Sequence, residues 1–167
     1  THADDEFVFF GGIIPTYAGE QGKKVQVVYL TNHTKTEPER NHELLNGLWH
    51  AGDVYYPVIS DFPDIYTKSL DEAKGMYDND KVIAFQVEQI RRFKPQYIVG
   101  HDIEGEYGHG VHKLNTWALM EAVQAAARGD TYTESVDKYG PWNTPETWLH
   151  MYEENQVTMD WHVPLER

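Results

Sequence analysis

Two short clusters hold the residue types that do chemistry. The first, His2-Ala3-Asp4-Asp5-Glu6, sets three carboxylates beside an imidazole within five residues. That much negative charge is costly unless a cation offsets it, and a divalent metal would do so. The plainer reading is a solvated helix start, where carboxylates interact favourably with exposed backbone N–H groups. The second cluster is Glu104-Gly105-Glu106-Tyr107-Gly108-His109-Gly110-Val111-His112. Its glycines permit close backbone approach and unusual dihedrals. His109 and His112 are three apart, so on a first helical turn they share a face, and one can bind metal while the other reaches a substrate. The plainer reading here is a glycine-rich loop with two surface histidines.

Combined, the clusters supply His, Asp and His around an open position, which is the catalytic zinc arrangement. A metal so held acidifies water toward neutral pH. Asp4 is then a spare carboxylate able to take the proton as general base.

The elements that must position these residues alternate along the chain. Phe7 to Tyr17 reads as a helix broken by Gly11-Gly12 and Pro15. Val25 to Leu30 reads as a buried parallel strand, and Val54 to Ile59 as a second strand. Between them, Glu37 to Ala51 has helical periodicity, with Leu44, Leu45, Leu48 and Ala51 on one face and Gly52 ending it. Asp61 to Asp80 reads as a long polar loop, and Lys81 to Phe93 as a helix closed by Pro95. Tyr97-Ile98-Val99 is a short strand, and Asn115 to Ala127 a helix closed by Gly129. From Tyr132 the chain turns irregular and aromatic. Strands separated by helices predict an α/β fold with a mostly parallel sheet. The expected organisation is a single domain over residues 1–167, with an α/β core at 1–129 and an irregular aromatic-rich extension at 130–167.

In open α/β sheets, ligands bind beyond the carboxyl ends of strands. A strand is therefore expected just before His2, yet the chain begins at Thr1. At the other end, Trp161-His162-Val163-Pro164-Leu165 reads like mid-domain sequence. The chain accordingly reads as a piece of a longer protein, its first strand and any targeting segment lying upstream, which leaves the compartment open.

Composition narrows the partners. With 27 acidic against 14 basic residues the net charge is −13, a field that repels phosphate backbones and anionic lipid. Nucleic acid is excluded as a partner on that ground, and a neutral or cationic substrate fits better. No apolar run approaches the ~20 residues of a membrane span. With no cysteine, any zinc site must use His, Asp and Glu.

His2-Ala3-Asp4-Asp5-Glu6, Gly11-Gly12, the strand ending Leu30-Thr31, Arg40 with Glu43, and Tyr107-Gly108-His109 followed by His112 stand in an order and spacing that resembles the PIG-L / LmbE-like deacetylases. The resemblance runs from Thr1 to about Ala127. It implies a Rossmann-like three-layer sandwich and a Zn2+ ion, or another divalent metal, on His2, Asp5 and His112. It makes Asp4 the general base, His109 an acid or electrostatic stabiliser, Tyr107 a partner of the substrate carbonyl, and Arg40 a substrate-binding residue. Arg40 and Glu43 read equally as a pair bracing their helix. The implied reaction is hydrolysis of an acetamido group on a small-molecule or glycan substrate such as an N-acetylated amino sugar, and an oligomer is compatible with it. Two departures stand out. Ala3 replaces a proline. Gly110-Val111 replace a Pro-Asp pair whose aspartate can orient the first histidine, so Asp102, Glu104 or Glu106 is expected to orient His109 instead.

His33, His42, His50, His101, His150 and His162 show no chemical spacing and read as surface or packing residues, His101-Asp102 at a strand end being the best of them. Trp142, Trp148, Tyr152 and Trp161 either stack on a sugar or pack the C-terminal segment onto the domain. Three readings follow: a zinc-dependent deacetylase, a non-catalytic carbohydrate-binding protein on a deacetylase-like scaffold, and a purely structural α/β domain.

Overall fold

The computed structural model describes residues 1–33 and 37–157. His162, Trp161 and the segment around them lie outside the described residues. The chain forms two compact units, Thr1–Asp64 with the stretch from Glu153, and Ile65–Tyr152. It is α/β, with two short parallel sheets and helices between the strands.

In the first unit, the apolar stretch after the acidic cluster is broken as its glycines and proline require. A single α-turn, α1 (Asp5–Val8), is followed by turns and then a π-helical segment, Pro15–Glu20. The strand expected over Val25 to Leu30 shortens to β1 (Val28–Tyr29), and that expected over Val54 to Ile59 to β2 (Val58–Ile59). They pair in parallel, Val28 opposite Val58 and Tyr29 opposite Ile59. Side chains account for both limits. Before the pair, the Gln26 amide donates to the Tyr56 and Val27 carbonyls. After it, the Ser60 hydroxyl takes the Leu30 carbonyl. Pairing resumes as one bridge, Asn32 with Pro63.

Helix α2 (Glu39–His50) packs Leu44 and Leu48 against Ile14, Ala18 and Tyr29. Leu45, expected on that face, is exposed. The apolar stripe is therefore narrower than the periodicity suggested.

The second unit holds α3 (Leu70–Met76), α4 (Asn79–Phe93), β3 (Tyr97–Gly100), α5 (Gly110–Ala126), α6 (Thr133–Tyr139) and β4 (Glu146–Leu149). Helix α3 corrects the expected loop over Asp61 to Asp80. Its start is capped by Ser69, whose hydroxyl accepts from the Glu72 N–H, while Glu72 reaches back to the Lys68 N–H. This Ser-x-x-Glu spacing is a capping-box signal. Helix α6 and strand β4 correct the expected irregular extension. Neither has an amphipathic pattern strong enough to mark it. Strand β4 exists because β3 supplies its backbone partners, in parallel register from Tyr97 opposite Glu146 to Gly100 opposite Leu149.

The core of this unit is Val87, Ile90, Leu119, Ala122 and Ala126, flanked by Ile98, Trp142 and Leu149. The Trp142 indole N–H donates to the Pro95 carbonyl, so this aromatic packs its segment. At the end of α5, fully buried Arg91 on α4 directs its guanidinium at the carbonyls of Ala125, Ala126, Arg128 and Tyr132 and at the Ser135 hydroxyl. Those five contacts match the five N–H donors of the group. They satisfy helix-end carbonyls that α5 cannot satisfy itself. No helix among the described residues is long and apolar enough to cross a membrane.

Candidate functional site

The amino-terminal cluster is held by the end of β1. Thr31 donates from both its backbone N–H and its hydroxyl to the Thr1 carbonyl, each at 3.2 Å, and this presents the next residue, His2. The His2 ring sits between two carboxylates, Nδ1 3.2 Å from Asp5 Oδ2 and Nε2 3.1 Å from Asp64 Oδ1. The His33 ring lies 6.0 Å from that of His2, centroid to centroid. Burial works against charge on His2, but the bonds to Asp5 and Asp64 outweigh it and raise the imidazole above its ordinary value. Asp5 is buried, whereas the Asp4 side chain is exposed. Asp4 adopts φ 146°, an unusual conformation for a residue with a side chain. Behind it, Glu6 and Tyr29 face each other, and burial pushes both the Glu6 carboxyl and the Tyr29 phenol up. Arg40 does not brace its own helix against Glu43. It donates to the Ala3 carbonyl at 2.6 Å and to Asp4 Oδ2 at 3.0 Å, and lies 3.5 Å from Glu37.

In the second unit, the segment after β3 folds into a 3₁₀ turn, Glu106–Gly108, that delivers the chain to α5. Tyr107 takes φ 45° within it, between Gly105 at φ 71° and Gly108 at φ 76°. A side chain in that region costs roughly 1–2 kcal/mol, and it holds the Tyr107 ring out in solvent. His109 is the N-cap of α5 rather than part of its first turn. The two histidines meet nonetheless, their rings edge to face with centroids 5.0 Å apart. Tyr66 and Tyr107 lie against His109, with centroids 5.3 and 6.0 Å away. Tyr107 also meets His112 edge-on at 5.3 Å. The family's proline would not fit at position 110. The Gly110 N–H donates to the Thr67 carbonyl at 2.9 Å, and a Cβ at this position would lie 2.4 Å from the Ser69 carbonyl oxygen.

The three carboxylates expected to orient His109 have other roles. Glu106 Oε1 accepts from His101 and His150, Asp102 accepts from the Glu104 N–H, and Glu104 pairs with Lys113. Glu106 was expected near this cluster, but as a partner of His109; His101 and His150, which bond it instead, are neighbours that sequence spacing did not single out. His101 stacks on His112, centroids 4.6 Å apart and planes 5° from parallel. Its position at a strand end was the available signal. His150 had no local signal, because the β3–β4 pairing brings it in from 44 residues away.

The donors suit a divalent metal. They are imidazoles and carboxylates, hard to borderline ligands with no thiolate among them. His112, fully buried, turns Nδ1 to the Glu106 carbonyl at 3.4 Å. The tautomer this favours carries its lone pair on Nε2, the form in which metal-ligating histidines are commonly held. His2 sits between two anionic groups, an excess of negative charge that a cation would answer.

The family model for GlcNAc-PI de-N-acetylase, PIG-L, matches residues 1–123. The chain belongs to the PIG-L family. The matched range contains His2, Asp4, Asp5, Arg40, Tyr107, His109 and His112, and so spans both clusters. The chain is 27% identical over 172 residues to 1D-myo-inositol 2-acetamido-2-deoxy-alpha-D-glucopyranoside deacetylase 2 of Saccharopolyspora erythraea, covering 88% of this chain and 61% of that protein. It thus spans about three fifths of that relative's length. Among solved structures, it resembles the conserved protein TT1542 from Thermus thermophilus, with a TM-score of 0.68 and 18% identity, over 93% of this chain and 65% of the other. That likeness is one of fold.

Proposed function

We propose that this PIG-L member is a metal-dependent hydrolase that removes the acetyl group from the amide nitrogen of an N-acetylated amino sugar or sugar conjugate. The observation that carries the reading is the family match over residues 1–123, a range in which His2, Asp4, Asp5, His109 and His112 are residue types able to serve as metal ligands and acid–base groups. The deacetylase relative, named for a 2-acetamido-2-deoxy-glucopyranoside, supports the substrate class.

In this reading His2, Asp5 and His112 hold a zinc or similar divalent ion. When bound, the ion acidifies water and polarises the amide carbonyl. Asp4 accepts the proton of the attacking water as its oxygen bonds to the amide carbon. Arg40 steers Asp4 through their 3.0 Å contact. Tyr107 and His109 stabilise the charge that builds on the amide oxygen. The carbon–nitrogen bond then breaks, and Asp4 or His109 returns the proton to the departing nitrogen, leaving acetate and a free amine.

The test is acetate release from a panel of N-acetylated amino sugars and their conjugates by zinc-loaded protein. Turnover that disappears in Asp4→Ala while zinc is retained supports the assignment. Glycan binding without turnover in the zinc-loaded wild type would replace it with a carbohydrate-binding protein. Absence of stoichiometric metal would remove it altogether.

A further inference from the structure

We infer that Glu106, His101 and His150 act together as positioning residues for His112, and that His150, beyond the segment the family model matches, completes the site. The inference rests on the reading of His112 as a metal ligand.

The argument begins with strand register. Strands β3 and β4 run parallel with Gly100 opposite Leu149, and the His150 N–H donates to the Gly100 carbonyl at 2.9 Å, carrying the ladder one residue further. Each strand is followed directly by a histidine, His101 and His150. Parallel in-register strands deliver both rings to one place, and both Nδ1 atoms meet the same oxygen. Glu106 Oε1 lies 3.3 Å from His101 and 2.8 Å from His150, with the Asp102 N–H at 3.3 Å. Glu106 is buried, so its charge depends on these donors for solvation.

The same residue sets His112 in two ways. Its main-chain carbonyl faces His112 Nδ1 at 3.4 Å. Its carboxylate fixes the ring of His101, which stacks on His112 with planes 5° from parallel. Thr116, one turn beyond His112 on α5, donates to the His101 carbonyl at 3.2 Å and ties the strand end to the helix. The His112 ring is thus gripped on an edge by the Glu106 main chain and on a face by His101. The Glu106 carboxylate, bonded to both His101 and His150, anchors the residue that supplies the first grip and the ring that supplies the second. Groups that orient a ligating histidine typically change metal affinity roughly 10- to 100-fold when removed. The His150 side chain is 32% exposed, so replacing it leaves little void.

The test uses His150→Ala and His150→Asn, the latter keeping an N–H donor near the position of Nδ1. Zinc affinity is measured by chelator competition, and the metal geometry by the visible spectrum of the cobalt(II)-loaded protein. The His112 tautomer in metal-free protein is read by long-range proton–nitrogen NMR. The expected result is a 10- to 100-fold loss of zinc affinity in His150→Ala, an altered cobalt spectrum, a mixed His112 tautomer in place of a single Nδ1–H form, and substantial recovery of all three in His150→Asn. Wild-type affinity, spectrum and tautomer in a folded His150→Ala protein would overturn the inference. Wild type that binds no zinc, yet whose His112 tautomer still depends on His150, would overturn the ligand reading while supporting the positioning role.

Discussion

The Arg40 guanidinium lies 3.0 Å from the Asp4 carboxylate and 2.6 Å from the Ala3 carbonyl oxygen. Both partners belong to the turn in which Asp4 takes φ 146°, a conformation costing on the order of 1–3 kcal/mol. The side chains are partly to largely exposed, so the pair adds little stability. Its value is positional. Arg40→Ala is expected to lower kcat/KM roughly 10- to 100-fold with an almost unchanged unfolding midpoint. Arg40→Lys should restore only part of this, because one ammonium does not reproduce the planar fork. Acetate-release kinetics on the three proteins check it, and an Arg40→Ala enzyme as fast as wild type would refute it.

Glu106 should make the protein acid-sensitive in a defined window. Burial alone would raise its carboxyl, but hydrogen bonds from His101 and His150 overcome that and hold it at about 2, below its ordinary 4.5. A carboxyl depressed in the folded state contributes stability that is complete above the unfolded value. That contribution fades as pH falls through the folded one. The difference corresponds to about 3 kcal/mol. Urea unfolding of wild type and Glu106→Gln should show a gap in stability near neutral pH that closes by about that amount toward pH ~2. A gap that does not change with pH would rule out the depressed carboxyl.

Gly110 stands where the family often places proline, and reverting it should harm the protein. Proline is normally welcome at a helix start. Here it would remove the N–H that bonds Thr67 and drive ring atoms toward the Ser69 carbonyl and the Thr67 hydroxyl. Gly110→Pro is expected to lose about 2 kcal/mol or more by denaturant titration, and Gly110→Ala to be destabilised as well. A Gly110→Pro protein as stable as wild type would show that this loop rearranges freely.

The α/β alternation and the parallel pairing were legible because helices α2 and α4 are amphipathic, α5 is a long alanine- and leucine-containing run without breakers, and the strand segments are β-branched. What was not legible depends on distant partners. Strand β4 is four residues of mixed polarity that become a strand only beside β3, and His150 enters the site only through that pairing. Strands β1 and β2 are cut short by the side chains of Gln26 and Ser60, which no periodicity records. Helix α3 is the different case. Ser69 and Glu72 announced it, and the surrounding polarity of residues 61–80 hid it. Likewise Asp64 bonds His2 from 62 residues away, near the start of a segment read as loop.

Arg91 joins α4, the last carbonyls of α5 and the start of α6 through one guanidinium. Pulling any of these away would leave a bare cation among apolar side chains and several carbonyls without donors. None can fray at leisure while the others stay. In hydrogen exchange, amides of the three helices near this junction should open together, at one common free energy, and trypsin should reach the Arg91 peptide bond only in molecules where that whole block has come apart.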